Sequence, residues 1–581
     1  MRQRIRNFLP RVFLILLFFI SPFDILSQVF REPFEDYEFE CGPPGGKLIF
    51  AITSDPKSFN PIVAKETSTT QITGYLFEGL TTVNPCTLEV IPNLAQSWET
   101  EDGIKWIFHL RKNVFWGDGE KFTADDVVFT FNDLIYNPDI PASSRDILTI
   151  EGKEIIVEKI DDYTVKFTLP YIFAPFLRTL SENILPKHKY YKLVKENKFN
   201  FSMGLGYKTS DIVGTGPFYL KSYFPGERVI LERNPYYWKK DVCGQQLPYL
   251  EEIIFIVIPN AETVLLKFLE KEIDSYSLRP QDLAVLGPLQ EKHGFTIYNI
   301  GVTTGSNFLI LNQNPSINSG TNKPFVKPYK LSWFRNKTFR KALSFAINRK
   351  KIISVLYNEL AVPQYSPVSP SNTLFYSDKI KTYPYNPEKA RSLLREIGFR
   401  DKNGDGFLED SQENKVEITF FTNADSTLRV TIAALVKNDL EDVGLKIHFL
   451  PLDFNNLVVK LTNTYDWEMM MIGLTGGIEP HFGKNVWSYT GTLHAWNPTK
   501  KPIDEYEQEI EDIFNLAVKT LDIEERKCFY ARWQYIVSDN LPFIYTVQPY
   551  SIFAVRNRFG NLYPTVHGGA FAEIEQIYVR E

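Results

Sequence analysis

The chain has 581 residues, of which 44% are hydrophobic, 23% charged and 14% aromatic, and a formal charge of −6. This balance excludes a disordered chain, a collagen-like fibre and a multi-pass membrane protein. The acidic sign gives no reason to expect a nucleic-acid partner, and four cysteines are too few for a disulfide scaffold.

The first element is an address. Arg2, Arg4, Arg6 and Arg11 precede the apolar run Val12 to Ile20, and Pro22 and Asp24 break it. A basic region followed by a short apolar stretch is the pattern of a secretory signal, with cleavage expected near Ser27–Gln28. The run is too short for a transmembrane helix, which needs about 20 apolar residues. Losing residues 1–27 removes four arginines and one aspartate, so the mature chain is more acidic than the precursor. Residues 28–45 read as an acidic, solvated linker rich in Glu and Phe. Cys41 follows Glu38-Phe39-Glu40, a charged flank unlike a lipidation site. In an exported protein, Cys41, Cys86, Cys243 and Cys528 can form up to two disulfides, and three full pairings remain open.

Folded protein begins at Gly46. Lys47 to Ile52 reads as a strand, and Thr67 to Leu80 as a helix. From Thr81 to Thr168 strands dominate, because Trp106 to Leu110 and Tyr163 to Thr168 alternate apolar with polar residues. Asp125 to Leu134 has a helical pattern. Asn260 is placed to cap a helix carrying Val264, Leu265, Phe268 and Leu269. Further helices are predicted over Lys337 to Tyr357, Ala390 to Ile397 and Thr427 to Val443, the last stopped by Gly444. Strands are predicted over Lys415 to Phe421 and Lys446 to Leu450. The alternation of strands and helices points to α/β domains.

A search for chemistry returns absences. There is no Gly-x-Ser-x-Gly elbow, no phosphate loop, no His-Glu-x-x-His and no Cys-x-x-Cys. These absences speak against an enzyme, and no cofactor is called for. Asp401, Asn403, Asp405 and Gly406 fall at positions of a calcium loop, but Gln412 stands where a bidentate Glu is needed. A Gly-Asp-Gly turn explains the same residues. His481 and His494 share one glycine-rich, aromatic segment, and ordinary hydrogen-bonded side chains explain them better than a metal.

Several ordered stretches carry a family likeness. They are Ile91 to Trp98, Trp106 to Lys112, Phe115 to Gly119, Phe122 to Phe129, Val213 to Phe218, Pro225 to Pro235 with Tyr237 and Trp238, Phe339 to Arg349, and Tyr385 to Ala390. In this order and spacing the chain resembles the peptide- and nickel-type extracellular solute-binding proteins of ABC importers, from about residue 46 to the C-terminus. The resemblance implies an α/β, three-lobed periplasmic binding protein. Lobe I would comprise residues 46–80, 205–308 and 547–581, lobe II an insertion at 81–204, and lobe III residues 309–546. Chain crossings near Asn307–Leu311 and Thr546–Tyr550 would form a hinge. The protein would be a monomeric receptor that closes on a peptide or other small organic solute and delivers it to the transmembrane subunits of an ABC permease.

The resemblance also locates a ligand site. One part is the segment containing Trp467, Gly473, Leu474, Thr475, Gly476, Gly477, Glu479, His481, Phe482, Trp487, Tyr489 and Trp496. Peptide-binding members place an acid where this chain has Gly477, and Glu479 is the nearest substitute as an amine anchor. The rings suit an apolar side chain, a sugar face or a cation, although core filling accounts for most such rings. The other part is Ala64, Lys65, Glu66 and Thr67, where Lys65 could meet a ligand carboxylate. An oligosaccharide is the alternative ligand class, and an exported hydrolase the reading from another class.

Overall fold

The structure, a computed structural model, describes Phe30 and residues 38–580. The signal-type segment 1–27 and residues 28, 29 and 31–37 of the acidic stretch lie outside the described residues. No helix of the described residues is long and apolar enough to cross a membrane.

Four larger sheets organise the chain. The first has the order Lys47–Ile52, Glu252–Val257, Arg228–Arg233, Phe218–Phe224. Its first pair is parallel and the other pairs are antiparallel. The second places Val547–Arg556 between Ser275–Ser277 and Phe295–Val302. An antiparallel meander of Ala95–Thr100, Lys105–Leu110, Thr164–Thr168 and Ile156–Asp161 forms the third. The predicted alternation is visible there: Trp106, Phe108, Leu110, Val165 and Phe167 face one buried core.

The fourth sheet has five strands in the order Lys446–Leu452, Glu417–Asn423, Met469–Leu474, Ser306–Leu311, Phe543–Tyr545. Its central strands are covered on both faces, which is why they read as unbroken apolar runs. Leu309, Leu311, Met469 and Met471 enter the core under the helices Lys337–Ala346 and Thr427–Glu441. Phe308, Ile310, Met470 and Ile472 enter the opposite core with Trp467, Trp496 and Trp533.

Two short links join this sheet to the second one. Residues 303–305 connect Phe295–Val302 to Ser306–Leu311, and Thr546 connects Phe543–Tyr545 to Val547–Arg556. Hydrogen bonds stitch the links: Thr546 N–H donates to Asn307 O at 3.0 Å, and Thr303 N–H to Pro549 O at 2.9 Å. The Gln548 amide donates to Thr303 O at 3.2 Å and Gly305 O at 3.1 Å. The first crossing therefore precedes the expected Asn307–Leu311. Those residues pair across the five-stranded sheet with Met469–Gly473.

Three predicted helices differ in extent. The expected Thr67–Leu80 helix stops at Thr73. Beyond it, the Tyr75 and Leu76 carbonyls accept from Phe218 and Gly216 N–H groups instead of continuing the helix. Gly214 is packed so closely there that a Cβ would lie 1.8 Å from Leu76 O. The segment Lys337–Tyr357 divides into Lys337–Ala346 and Arg349–Tyr357. The Asn348 side chain caps the second piece by accepting from Lys351 N–H at 3.0 Å. Asp125–Leu134 becomes a short α-helix, Ala124–Phe129, widening into a π-turn over Thr130–Ile135. The Asn260 cap is present, accepting from Thr263 N–H at 2.9 Å.

The calcium-like loop is a self-satisfied turn. Asp401 accepts from Gly404 and Gly406 N–H groups at 2.7 and 3.0 Å, and Asp405 is paired with Lys415 at 2.8 Å. Of the cysteines, Cys41 and Cys243 form a disulfide across 202 residues, while Cys86 and Cys528 are free and exposed. A cross-link over a loop this long restricts the unfolded chain. We expect Cys243→Ser to lower the unfolding free energy by about 2–4 kcal/mol, and dithiothreitol to do the same to the wild type. Urea unfolding curves that superimpose with and without reductant would contradict this.

Candidate functional site

Two cavities stand out, the smaller of them beside the crossings. The larger, about 900 Å³, is walled by four stretches distant in sequence. Glu78 comes from the first, Asn93 and Arg111 from the meander, Trp238 and Lys239 from the middle segment, and Glu573 and Glu575 from the C-terminal one. Ile478 of the glycine-rich segment closes it from the five-stranded-sheet side.

Its chemistry is that of an amphoteric wall. Lys239 Nζ lies 2.7 Å from Glu575 Oε1, and the Tyr237 hydroxyl also reaches that oxygen at 3.5 Å. The Trp238 indole N–H donates to Glu78 Oε2 at 3.0 Å. The Arg111 guanidinium lies 4.4 Å above the Trp238 ring, a cation–π contact. Burial pushes the Glu78 carboxyl up to about 7, against the pull of Lys239 and the Trp238 N–H. Burial would raise Glu575 as well, but Lys239 holds it below the ordinary carboxylate range. Sequence reasoning missed this wall. Tyr237 and Trp238 stood in a recognised stretch, yet nothing local in the sequence shows that they meet Glu78 and Glu575.

The smaller cavity, about 340 Å³, lies within the five-stranded-sheet body. Leu474, Thr475, Gly476, Gly477, Glu479, Phe482 and Trp487 line it, so the structure brings together seven of the predicted residues. Phe308, Trp533, Phe543 and Tyr545 complete an aromatic wall, with Phe308 and Phe543 stacked at 3.9 Å. Gly476 is pressed against the first crossing, where a Cβ would sit 2.0 Å from Thr304 O.

The remaining predicted residues are placed elsewhere. Trp467 and Trp496 are core side chains, and the Trp496 indole N–H donates to buried Glu507 at 2.7 Å. His494 is equally internal, held by Val486 O at 3.0 Å and Glu507 at 3.2 Å. Gly473 sits in its strand, paired with Asn307. Tyr489 is half-buried, and it lines neither cavity. Ala64 is buried, and Lys65 and Thr67 are exposed. Glu66 bonds the Thr69 hydroxyl at 2.9 Å, and none of the four reaches either cavity wall.

Glu479 requires a correction. The residue lines the smaller cavity, but Arg526 Nη2 lies 2.6 Å from its carboxylate and both side chains are almost wholly buried. The Tyr530 hydroxyl donates to the same oxygen at 3.3 Å, and His481 N–H at 3.2 Å. The charge expected to anchor an amine is thus neutralised inside the lobe. His481 packs edge-on to Phe173 of the meander body at 5.5 Å and near Phe514 at 6.4 Å. Beside it, Ala174 N–H donates to Val518 O at 2.7 Å.

The family-model comparison decides the identity. The model described as bacterial extracellular solute-binding proteins, family 5, matches residues 89–493. The chain belongs to this family. Members are the non-enzymatic binding components of ABC transporters. Among its relatives is a Deinococcus radiodurans protein named "Probable ABC transporter-binding protein", 29% identical over 525 residues, 86% of each chain. The periplasmic alpha-galactoside-binding protein of Rhizobium meliloti is 26% identical over 87% of this chain and 76% of its own. The oligopeptide-binding protein AppA of Bacillus subtilis is 28% identical over 74% of this chain and 73% of its own. The solved structure of AppA with a nonapeptide has a TM-score of 0.68, covering 93% of this chain and 100% of that one at 23% identity. This likeness extends the fold over nearly the whole chain.

Two outcomes are expected around Glu479 and His481. Arg526→Met strands the Glu479 charge in the core and should cost about 3–5 kcal/mol in chemical denaturation; a loss under about 1 kcal/mol would mean that water reaches the pair. Burial, with Lys484 and Arg526 nearby, lowers the His481 imidazole to about 3 from its ordinary 6.5. The unfolded chain therefore binds this proton first as pH falls. Stability from neutral His481 is complete above pH 6.5 and is lost toward pH 3, by up to about 1.4 kcal/mol per pH unit. His481→Phe should flatten that slope, and an unchanged slope would reassign it to other groups.

Proposed function

We propose that this family 5 protein captures oligopeptides or similar polar organic solutes outside the cytoplasm and hands them to the membrane subunits of an ABC permease. Its basic-apolar leader directs export in this reading. The observation that carries the ligand class is the wall of the 900 Å³ cavity. That volume lies within the range of small-ligand sites, about 300–1,000 Å³. Carboxylates, cations and rings alternate around it, as in Glu78, Glu573 and Glu575 against Arg111 and Lys239, with Tyr237 and Trp238 between. A peptide offers matching groups: charged ends, amide donors and acceptors, and apolar side chains. The oligopeptide binder among the relatives agrees with it.

A second reading rests on the smaller cavity. Phe308, Trp487, Trp533, Phe543 and Tyr545 present ring faces, the Glu479 charge is already paired, and the Trp533 indole N–H has no hydrogen-bond partner among the described residues. Ring faces with a spare donor suit a sugar, and a galactoside binder is also among the relatives. Thermal unfolding with pools of short peptides and of oligosaccharides separates the two. Under the peptide reading, peptides raise apparent stability by about 2.7 kcal/mol at a hundredfold excess over Kd, and sugars leave the melting curve in place. A shift with sugars alone would establish the second reading and end the first.

A further inference from the structure

The two cavities meet at a short stretch of backbone. Ile478 lines the larger and Gly477 the smaller, so adjacent residues of the glycine-rich segment border different spaces. The segment has left its sheet by then, since strand pairing ends where Leu474 faces Ser306. Its ends are fixed, with Gly476 pressed against Thr304 and Glu479 bound by Arg526. Between them a Cβ on Gly477 would meet nothing within 4 Å, so packing does not hold that residue. Backbone carbonyls in such a stretch need donors from elsewhere. One side chain supplies them: the Asn372 amide donates to Ile478 O at 2.8 Å and lies 3.5 Å from Gly477 O. Among the described residues no other hydrogen bond reaches Gly477 or Ile478.

Asn372 is itself firmly held. It is 1% exposed and lines the smaller cavity. Its Oδ1 accepts from Phe375 N–H at 3.1 Å, and its own N–H donates to Ser369 O at 2.9 Å. Gln534 fastens the same loop. Its amide donates to Phe375 O at 2.7 Å, and its Oε1 accepts from Ser377 N–H at 3.1 Å and from the Ser366 hydroxyl at 3.0 Å. The loop also joins the bodies. It follows Ala361–Pro363, which pairs with Val547–Pro549, and Gln364 N–H donates to Thr546 O at 3.0 Å. The Ser369 hydroxyl donates to Val302 O at 3.4 Å, and Ser371 O lies 3.1 Å from His567 Nε2 on the wall of the larger cavity. Ser371–Asn372 and Gly477–Ile478 thus form a partition between the cavities. The first pair is tied to the crossings, and the Asn372 amide ties the second pair to the first.

We propose that Asn372 is a positioning residue that holds this partition in place, and that it thereby limits the length of the captured ligand to what one cavity admits. The inference rests on the functional reading only in taking these cavities as the place of capture, whatever the ligand class. A ligand longer than one cavity has to push Gly477–Ile478 away from the amide and forfeits that hydrogen bond. A shorter one leaves the bond intact.

Calorimetric titration of the full mature chain with two graded series tests the proposal. One series is alanine peptides of two to eight residues, the other galacto-oligosaccharides of two to five units. Wild-type affinity should fall beyond a limiting length. Asn372→Asp keeps the acceptor for Phe375 N–H and removes the donor to Ile478, while Asn372→Ala removes both. Each variant should bind ligands just past the limit about threefold to tenfold more tightly than the wild type does, the worth of one hydrogen bond, and shorter ligands within about twofold. A uniform loss at every length marks a merely structural role and overturns the proposal, as does an unchanged length profile. A limit seen with the sugars alone and moved by both variants leaves the partition standing and ends the peptide reading. Backbone relaxation in the free protein needs no ligand. Order parameters of Gly477 and Ile478 should drop from about 0.85 to below about 0.6 in both variants, with those of Met469–Ile472 unchanged. No drop overturns the role of Asn372. Binding of neither series ends the capture reading and overturns the length limit with it.

Discussion

Everything in this molecule is arranged around two adjacent chain links, Thr303–Gly305 and Thr546. On one side lie the sheets containing Phe295–Val302 and Val547–Arg556, and on the other the five-stranded sheet containing Ser306–Leu311 and Phe543–Tyr545. Each link passes between sheets within three residues or fewer, so the bodies cannot drift apart. The Gln548 side chain donates to the Thr303 and Gly305 carbonyls, the Thr546 hydroxyl donates to Asn307 O in the adjoining strand, and Gly476 brings the glycine-rich segment against Thr304. The hydrophobic cores on the two sides are separate clusters. A further strand, Ala361–Pro363, pairs with Val547–Pro549 beside the links, so the junction is three chain segments wide.

The two cavities divide their chemistry according to that geometry. The smaller belongs to one body, and its wall is completed internally: Arg526 matches Glu479, and rings from two strands and from helices meet there. Such a wall holds its shape whether or not ligand is present. The larger is assembled from both sides of the links, and its charges are matched only in part. Glu78 is pushed toward neutrality by burial, which Lys239 and the Trp238 N–H oppose only in part. The imbalance is tolerable because the groups face space that a ligand can fill.

The sequence was most readable where periodicity equals structure. Trp106, Phe108 and Leu110 alternate and share one core, and Met469 to Ile472 runs apolar throughout because both faces of its sheet are covered. Helix extents were less readable where distant segments intervene: the Tyr75 and Leu76 carbonyls bond Phe218 and Gly216, and no local pattern announces it. For the site, the glycine-rich segment was legible as a cavity wall, but the state of Glu479 was not. Its partner Arg526 lies 47 residues away on a helix whose own sequence looks like a surface helix. The aromatic excess was legible only as an average. Trp496 fills a core and Trp487 lines a cavity, although both pack on the same Phe543 ring, which arrives from a distant strand.

The contacts between the meander body and the five-stranded-sheet body complete the logic of a receptor. They include one backbone hydrogen bond from Ala174 to Val518, the Phe173 ring against His481, the packing of Val518 into the meander's core, and Leu521 over Gly103. A strong interface there would hold the bodies together without ligand, and ligand would then shift nothing. A ligand changes the balance only by the difference in its affinity for the two arrangements, and a swing from 1:99 to 99:1 takes about 5.5 kcal/mol. Weak direct contacts keep the free protein within reach of such a difference.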